Sequence, residues 1–244
     1  MKESRDLYKA IGKSVLGRYS VYLANLITMM ILARVFTPEI FGVVAAIMVF
    51  YLFFQLMAEA GLSPAIINLT KFSPVERDGV FSLTFLLGIF LAVCFFYSSS
   101  FIVLFYKIDG IEKVIPFVSI SLLFFALSIV PSAFLLRDQF FYKVAISGST
   151  SEIVSTLVAI LLSFFIDPIY ALSTKYLVNA IMLYLIQFYF SSETEFGRPR
   201  LGSKLSAIKP LLSFSLYQFG FNFINFFFER FKIRIIRKII SIFY

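Results

Sequence analysis

The chain has 244 residues, of which 60% are hydrophobic and only 15% are charged, whereas an ordinary soluble domain carries roughly 25% charged residues. A soluble fold of this composition could not cover its own surface with polar groups. Nucleic-acid binding is disfavoured despite the net charge of +8, because the 22 Lys and Arg residues stand mostly between apolar runs, and the lack of histidine excludes His-based metal sites and catalytic triads.

Seven apolar runs of about 20 residues follow one another, which is the length that crosses a bilayer as a helix. They are too long and too uniformly apolar for barrel strands, so the predicted fold class is all-α, a polytopic membrane helix bundle. The connections are short, so consecutive helices should be antiparallel neighbours. The predicted spans are Val15–Val35, Phe41–Leu69, Val80–Tyr106, Val114–Leu136, Val144–Ile166, Ile169–Phe190 and Pro210–Phe228.

The first span carries polar residues on one face. Arg18, Tyr22 and Asn25 are spaced by four and three residues, so they point the same way from a helix. The run is long and lacks a small-residue cleavage pattern, so it is interpreted as a retained helix rather than a signal peptide. Arg34 stands near its far end, where it is expected to cap the helix and reach the lipid headgroups.

The second span contains one carboxylate, Glu59. Counted from the turn at Pro38, Arg18 lies about 20 residues back and Glu59 about 21 residues forward, which places them at nearly equal depth. An ion pair between Arg18 and Glu59 is therefore geometrically allowed. Gly61 and Pro64 predict a bend in the same helix.

The fifth and sixth spans contain Glu152 and Lys175, which should face the bundle interior or water. Measured from the turn at Asp167, their depths differ by about seven residues, or roughly 10 Å, so direct pairing is not expected. Lys175 and Asn179 lie one turn apart and are predicted to line a hydrated cavity. The alternative is a lysine that extends to the membrane surface.

Lys and Arg residues are distributed unequally between the two sides of the predicted bundle. The N-terminal segment and the loops before the third, fifth and seventh spans hold most of them, which predicts a cytoplasmic N-terminus. The predicted domains are a cytoplasmic segment (1–14), a six-helix bundle (15–190), a cytoplasmic loop (191–208), a seventh helix (209–228) and an aberrant basic tail (229–244). The tail breaks the charge rule, because a seventh crossing would place it outside.

Four segments resemble parts of the bacterial polysaccharide transporter family, whose members are lipid-linked oligosaccharide flippases, including those for O-antigen units. Leu32–Gly42 is similar to the family's first periplasmic turn, and Glu59–Ile67 follows as its second helix. Pro131–Asp138 resembles the exit of its fourth helix, and Leu212–Gly220 resembles its seventh helix. The likeness extends from about residue 11 to residue 227.

The resemblance implies a fold of the multidrug and toxic compound extrusion (MATE) type, with two six-helix bundles that face each other across a cavity. It implies a bacterial inner-membrane protein that flips undecaprenyl-pyrophosphate-linked oligosaccharides for O-antigen or polysaccharide biosynthesis, beside a polymerase and chain-length proteins. This sequence holds one bundle and a partial seventh helix, which we interpret as truncation by a frameshift or premature stop. Such a chain would need a second copy of itself or a separate second bundle.

A flippase moves a pyrophosphate and polar sugars through the membrane, so it needs a cavity lined by cationic and amide side chains. The candidate substrate-binding residues are Arg18, Asn25, Glu59, Lys175 and Asn179. The resemblance makes Arg18 a phosphate contact and Glu59 its partner or a proton-coupling carboxylate. The alternative is a structural ion pair near the cytoplasmic interface.

Two other functions remain open: an inactive or accessory half-transporter, and a drug or cation exporter of the same superfamily. A cationic substrate calls for an acid-lined cavity, whereas Arg18, Arg34 and Lys175 outnumber Glu59 and Glu152 within the spans. This balance favours an anionic lipid-linked substrate. An enzyme is disfavoured, because a polymerase or glycosyltransferase needs larger loops. The expected partners are the lipid-linked oligosaccharide and membrane lipids, with no nucleic acid, metal or cofactor.

Overall fold

The computed structural model describes residues 2–59, 61–68, 73–108 and 110–202 together with residues 217 and 220, and it describes side chains from Tyr19 onward. The regular elements in this part of the chain are helical, which confirms the all-α fold class. They are α1 (Lys2–Val35), α2 (Pro38–Glu59), α3 (Leu62–Asn68), α4 (Pro74–Tyr97), α5 (Ser99–Tyr106), α6 (Ile111–Arg137), α7 (Phe141–Leu162), α8 (Pro168–Phe190) and a 3₁₀ turn (Ser191–Glu193).

Several predictions fall on other parts of the chain. The Arg18 side chain, the end of the loop (203–208) and the tail (229–244) lie outside the described residues, as does the seventh span apart from residues 217 and 220. The domain bounds built on these segments stay predictions.

Helices cover the first six predicted spans. Among the described residues, five helical segments are long and apolar enough to cross a membrane, and a shorter apolar helix covers Tyr19–Val35. The second segment is interrupted between α2 and α3 by Gly61, whose φ of 72° favours a residue without a Cβ. The predicted bend is therefore observed. The five segments are Pro38–Asn68, Pro74–Tyr97, Ile111–Arg137, Phe141–Leu162 and Pro168–Glu193.

Polar side chains define where α4 and α8 begin. Ser73 precedes α4 in a capping box, since its hydroxyl accepts from the Glu76 amide while Glu76 Oε2 accepts from the Ser73 amide at 2.7 Å. Asp167 precedes α8, and its Oδ1 accepts from the Ile169 amide at 3.1 Å. These caps replace the backbone bonds that the first turn of a helix lacks.

Helix α6 lies at the centre of the bundle, where it packs against α2, α3, α4 and α8. Ile115, Leu122 and Phe134 on α6 are almost completely inaccessible. Close contact with α4 occurs where Gly88 faces Ala126. Small residues at such crossings allow membrane helices to pack tightly without a hydrophobic driving force between them.

Helix α1 packs against α7 rather than against α2, its neighbour in sequence. The prediction that consecutive helices are neighbours is therefore wrong for α1, although it holds for α7 with α8. Gly148 of α7 leaves room for Val21 of α1, because a Cβ added there would lie 3.3 Å from a Val21 methyl group. The opposite side of α1 is exposed and apolar, as Met29 and Met30 show.

Residues 191–202, called the strap here, run across one end of the bundle. Glu193 Oε2 lies 2.6 Å from Lys143 Nζ of α7, and the Glu195 amide donates to Asp138 Oδ2, just after α6, at 2.8 Å. These contacts fasten the strap to the end of α6 and the start of α7.

The second half of the strap is fastened to α4. The Arg200 amide donates to Asp78 Oδ1 at 3.0 Å, and the Gly202 amide donates to Ser82 Oγ at 2.7 Å. The strap therefore joins the ends of four helices, α4, α6, α7 and α8, that the charge distribution places on the same side of the membrane.

The crossing of α4 and α6 can be tested with Gly88→Leu. A Cβ at position 88 would lie 2.9 Å from the Ala126 Cβ, so the larger side chain should cost about 1–3 kcal/mol of stability. Gly42→Leu is the matched control, because nothing lies within 4 Å of a Cβ there. Thermal unfolding in detergent, followed by circular dichroism, should show a lower Tm for Gly88→Leu; equal Tm values would contradict the close crossing.

The docking of the strap can be tested with Gly202→Ala. The new Cβ would lie 2.8 Å from the Asp78 Cβ and 3.2 Å from its carbonyl carbon, so the Gly202–Ser82 hydrogen bond should break. Loss of about 1 kcal/mol should open the strap roughly fivefold more often and speed trypsin cleavage after Arg200 accordingly. Gly42→Ala serves as the control, and unchanged cleavage in Gly202→Ala would show that the strap is not held at this point.

Candidate functional site

Four polar side chains meet inside the bundle, at the contact of α1, α7 and α8; we call them the Glu152 cluster. Glu152 Oε1 accepts from Lys175 Nζ at 2.7 Å and from Thr28 Oγ1 at 2.8 Å. Glu152 Oε2 accepts from Asn179 Nδ2 at 3.0 Å. Both carboxylate oxygens are therefore hydrogen-bonded, by donors from two helices other than that of Glu152.

The helix geometry explains why these residues meet. Lys175 and Asn179 are one turn apart on α8, so both face α7. Thr28 lies on the side of α1 that packs against α7, and its single hydroxyl proton is shared between Glu152 and the Asn25 carbonyl of its own helix, which lies 3.0 Å away. Counted over the whole residue, Thr28, Glu152 and Lys175 are each 9% exposed or less, while Asn179 is half-buried.

The electrostatics of the cluster follow from its surroundings. A carboxylate inside a membrane protein cannot be hydrated by bulk water, so its charge must be satisfied by neighbouring groups. Lys175 neutralises Glu152, and its ammonium lies 5.3 Å from the centre of the Tyr176 ring, in cation–π range. Removing one member of such a pair leaves an uncompensated buried charge, which is strongly destabilising.

The expectation that Glu152 and Lys175 do not pair is wrong. The depths were counted from Asp167, but α7 already ends at Leu162, and the intervening residues form turns that add little axial rise. Counted from the helix ends, the depths differ by about three residues, or roughly 4–5 Å. The flexible four-carbon stem of a lysine spans the remainder.

One predicted site residue on α1, Asn25, does not join the cluster. Asn25 is exposed, and Tyr22 beside it is 66% exposed, so this face of α1 points away from Lys175. Arg18, predicted to share the same face, has its side chain outside the described residues. The Arg18–Glu59 pair stays a prediction.

Glu59 lies apart from the cluster, at the end of α2 beside the break at Gly61. It is half-buried and interacts with the Ser63 hydroxyl. Arg34 is exposed in the last turn of α1, the position expected of a residue that reaches the headgroups. Within the described ranges, no group of three or more His, Cys, Asp or Glu side chains is placed to hold a metal ion.

Sequence reasoning missed Thr28 and the partnership of Glu152. A threonine in an apolar helix usually bonds to the carbonyl one turn back, as Thr28 also does. Its second role depends on α1 packing against α7, which no local pattern in the sequence indicates.

Comparison with known proteins provides a family match. The sequence pattern of a family described as "Polysaccharide biosynthesis protein" matches residues 31–242, which is most of the chain. The match includes α2 to α8 and most of the Glu152 cluster, with Thr28 just before its start.

A curated relative is similar over a shorter segment. It is described as an uncharacterized membrane protein in the cps region of Klebsiella pneumoniae, and it is 32% identical over 85 residues, which are 35% of this chain and 18% of the relative. The match thus covers less than a fifth of the relative, which is about twice as long as this chain. No solved structure matches.

The importance of the ion pair can be tested with Glu152→Gln. This change leaves Lys175 buried without its counter-charge and should cost about 3 kcal/mol of stability, whereas Glu152→Gln with Lys175→Met should restore most of it. The control is Lys113→Met, which breaks an exposed ion pair with Asp167 at 3.4 Å and should change stability little. Chemical unfolding in detergent measures all three, and a double variant less stable than the single one would contradict the ion pair.

Proposed function

The chain belongs to the polysaccharide biosynthesis protein family, and from this membership we propose that it takes part in moving lipid-linked oligosaccharide units across the bacterial inner membrane. The units would be carried on undecaprenyl diphosphate and serve O-antigen or capsule synthesis. The observation that carries the proposal is the family match over residues 31–242 of a multi-pass membrane bundle. The origin of the similar Klebsiella protein, a cps region, supports a role in surface polysaccharides.

The transported lipid would pass through a cavity between this bundle and a second one. We propose that the second bundle is another copy of the chain or a separate protein, and that a polymerase and chain-length proteins act on the product. The end covered by the strap would be cytoplasmic, together with the N-terminus, because the Lys-rich and Arg-rich segments lie there.

The candidate residues would line a polar cavity and contact different parts of the transported lipid. Asn25 is exposed on an apolar helix, a position that suits contact with sugar hydroxyls or water better than contact with lipid. Lys175 and Asn179 would face the diphosphate, and Arg18 would be a further phosphate contact. Glu59 would be the partner of Arg18 or the carboxylate that couples transport to protons.

The charge balance supports this substrate less than the sequence suggested. Lys175 is neutralised by Glu152, so counting it as a free cation overstates the positive character of the bundle. The preference for an anionic lipid over a cationic drug therefore depends on the family match. Export of a cationic compound is the outcome that the following experiment would expose.

Complementation tests the proposed function. The chain would be expressed in a bacterium that lacks its own O-antigen flippase, once alone and once with a separately expressed second bundle from a family member. We expect the ladder of polymeric lipopolysaccharide on a gel to return in at least one of the two forms. The experiment is repeated in hosts whose O-antigen repeat units differ, so that a failure in one host caused by the wrong substrate can be recognised.

The controls fix the meaning of each result. Membrane fractions probed by a C-terminal tag show that the protein is inserted, and the second bundle expressed alone must not restore the ladder. Absence of the ladder in every host, with the protein inserted, contradicts the proposal. Resistance of the same cells to cationic dyes would then indicate an exporter.

A further inference from the structure

Lys175 cannot attract an anion in the observed arrangement. Its ammonium lies 2.7 Å from Glu152 Oε1, and the two side chains are only 10% and 11% exposed. An approaching phosphate therefore meets a pair without net charge, whose field falls off quickly with distance. Lys175 has further N–H donors, but a phosphate gains its uncompensated positive charge only by replacing Glu152 as the partner.

Glu152 has hydrogen-bond donors that remain when Lys175 leaves. Thr28 donates to the same oxygen as Lys175, and Asn179 donates to the other oxygen. Both donors are neutral, and a hydrogen bond to a carboxylate strengthens when no cation compensates the charge. The carboxylate therefore keeps two hydrogen bonds when Lys175 leaves, which lowers the cost of its uncompensated charge inside the membrane.

Lys175 is the member of the cluster that can move. It has the longest side chain of the four, with a flexible four-carbon stem, and the centre of the Tyr176 ring lies 5.3 Å from its ammonium. Asn179 is half-buried, so the cluster reaches the surface of α8 on that side. Thr28 and Glu152, by contrast, are short, buried side chains on helices packed together.

We propose that Glu152, Thr28 and Asn179 form a resting site for Lys175, from which Lys175 transfers to the phosphate group of the transported lipid. Thr28 and Glu152 are then positioning residues, since they act on the substrate through Lys175. The inference rests on the proposed function and deepens it: the ligand of this site is a diphosphate-linked lipid, and its binding requires the exchange of an ion-pair partner.

Thr28→Val gives the sharpest test. The change removes a hydrogen bond to Glu152 that matters most when Lys175 has left it. The equilibrium therefore shifts toward the Lys175–Glu152 ion pair, and a smaller fraction of the protein can bind the lipid. An apparent affinity falls in proportion to that fraction, so we expect the apparent KM for transport to rise at least about threefold with an unchanged maximal rate.

The matched control is Thr84→Val, on α4. Thr84 is also fully buried, but its hydroxyl donates at 2.8 Å to the Phe81 carbonyl of its own helix and touches no carboxylate. If Thr28 has only a structural role, both variants should reduce the amount of active protein and hence the maximal rate, with KM unchanged. That result would overturn the proposal.

A second variant separates charge exchange from folding. Glu152→Gln with Lys175→Met removes both charges from the cluster and is expected to remain folded. If Lys175 binds the diphosphate, the folded double variant should transport at least tenfold more slowly than the unchanged protein. Transport at the unchanged rate would show that the pair only holds the helices together.

The measurement uses proteoliposomes that contain the form of the protein that restores the lipopolysaccharide ladder. The probe is undecaprenyl diphosphate carrying a fluorescent disaccharide, whose flipping is followed by quenching from one side. If the unchanged protein fails to flip this probe, the proposed function fails. If it flips the probe and Thr28→Val changes only the maximal rate, the proposed function stands and the inference fails.

Discussion

A carboxylate inside a membrane bundle must find its partners within the protein, because hydrocarbon supplies neither water nor counterions. Glu152 meets this requirement with one cation and two neutral donors, Lys175, Thr28 and Asn179, contributed by α8 and α1. Satisfying one side chain thereby fixes which faces of three helices meet. The packing of α1 against α7, across the sequence order, brings Thr28 within reach and belongs to the same constraint.

Charged groups at the end of the bundle meet different conditions. The Lys143 side chain is 4% exposed but its partner Glu193 is 56% exposed, so water screens the pair and its individual contribution is small. The strap is held instead by several contacts distributed over α4, α6 and α7, many of which use backbone amides. In the described part of the chain, the interior thus has its charges concentrated in the Glu152 cluster. The end of the bundle is held by several weaker contacts that lead the strap toward α4.

The sequence predicted the architecture well wherever a single helix decides the outcome. Hydropathy located six apolar helices, and Gly61 and Pro64 indicated the break that separates α2 from α3. Prediction from the sequence failed where the position of one helix relative to another decides the contacts. The Glu152–Lys175 pair was missed because a few turn residues after Leu162 changed the depth count, and the partner of α1 was missed because short connections do not determine packing. Asn179 and Lys175 were recognised as a pair because their spacing is a property of one helix.

The comparison of cations with acids in the sequence assumes that every Lys and Arg within the spans is available to a substrate. In this bundle the availability of a cation depends on its partners. Lys175 is paired with Glu152 and Lys143 with Glu193, whereas Arg34 is exposed at a helix end. If Lys175 exchanges Glu152 for an anion, as proposed above, the contacts between α8, α7 and α1 change with it. A site of this kind would couple occupancy to helix packing, because the group proposed to recognise the ligand is also one that holds the helices together. Such coupling is what a protein needs if it is to change its shape only when the substrate is present.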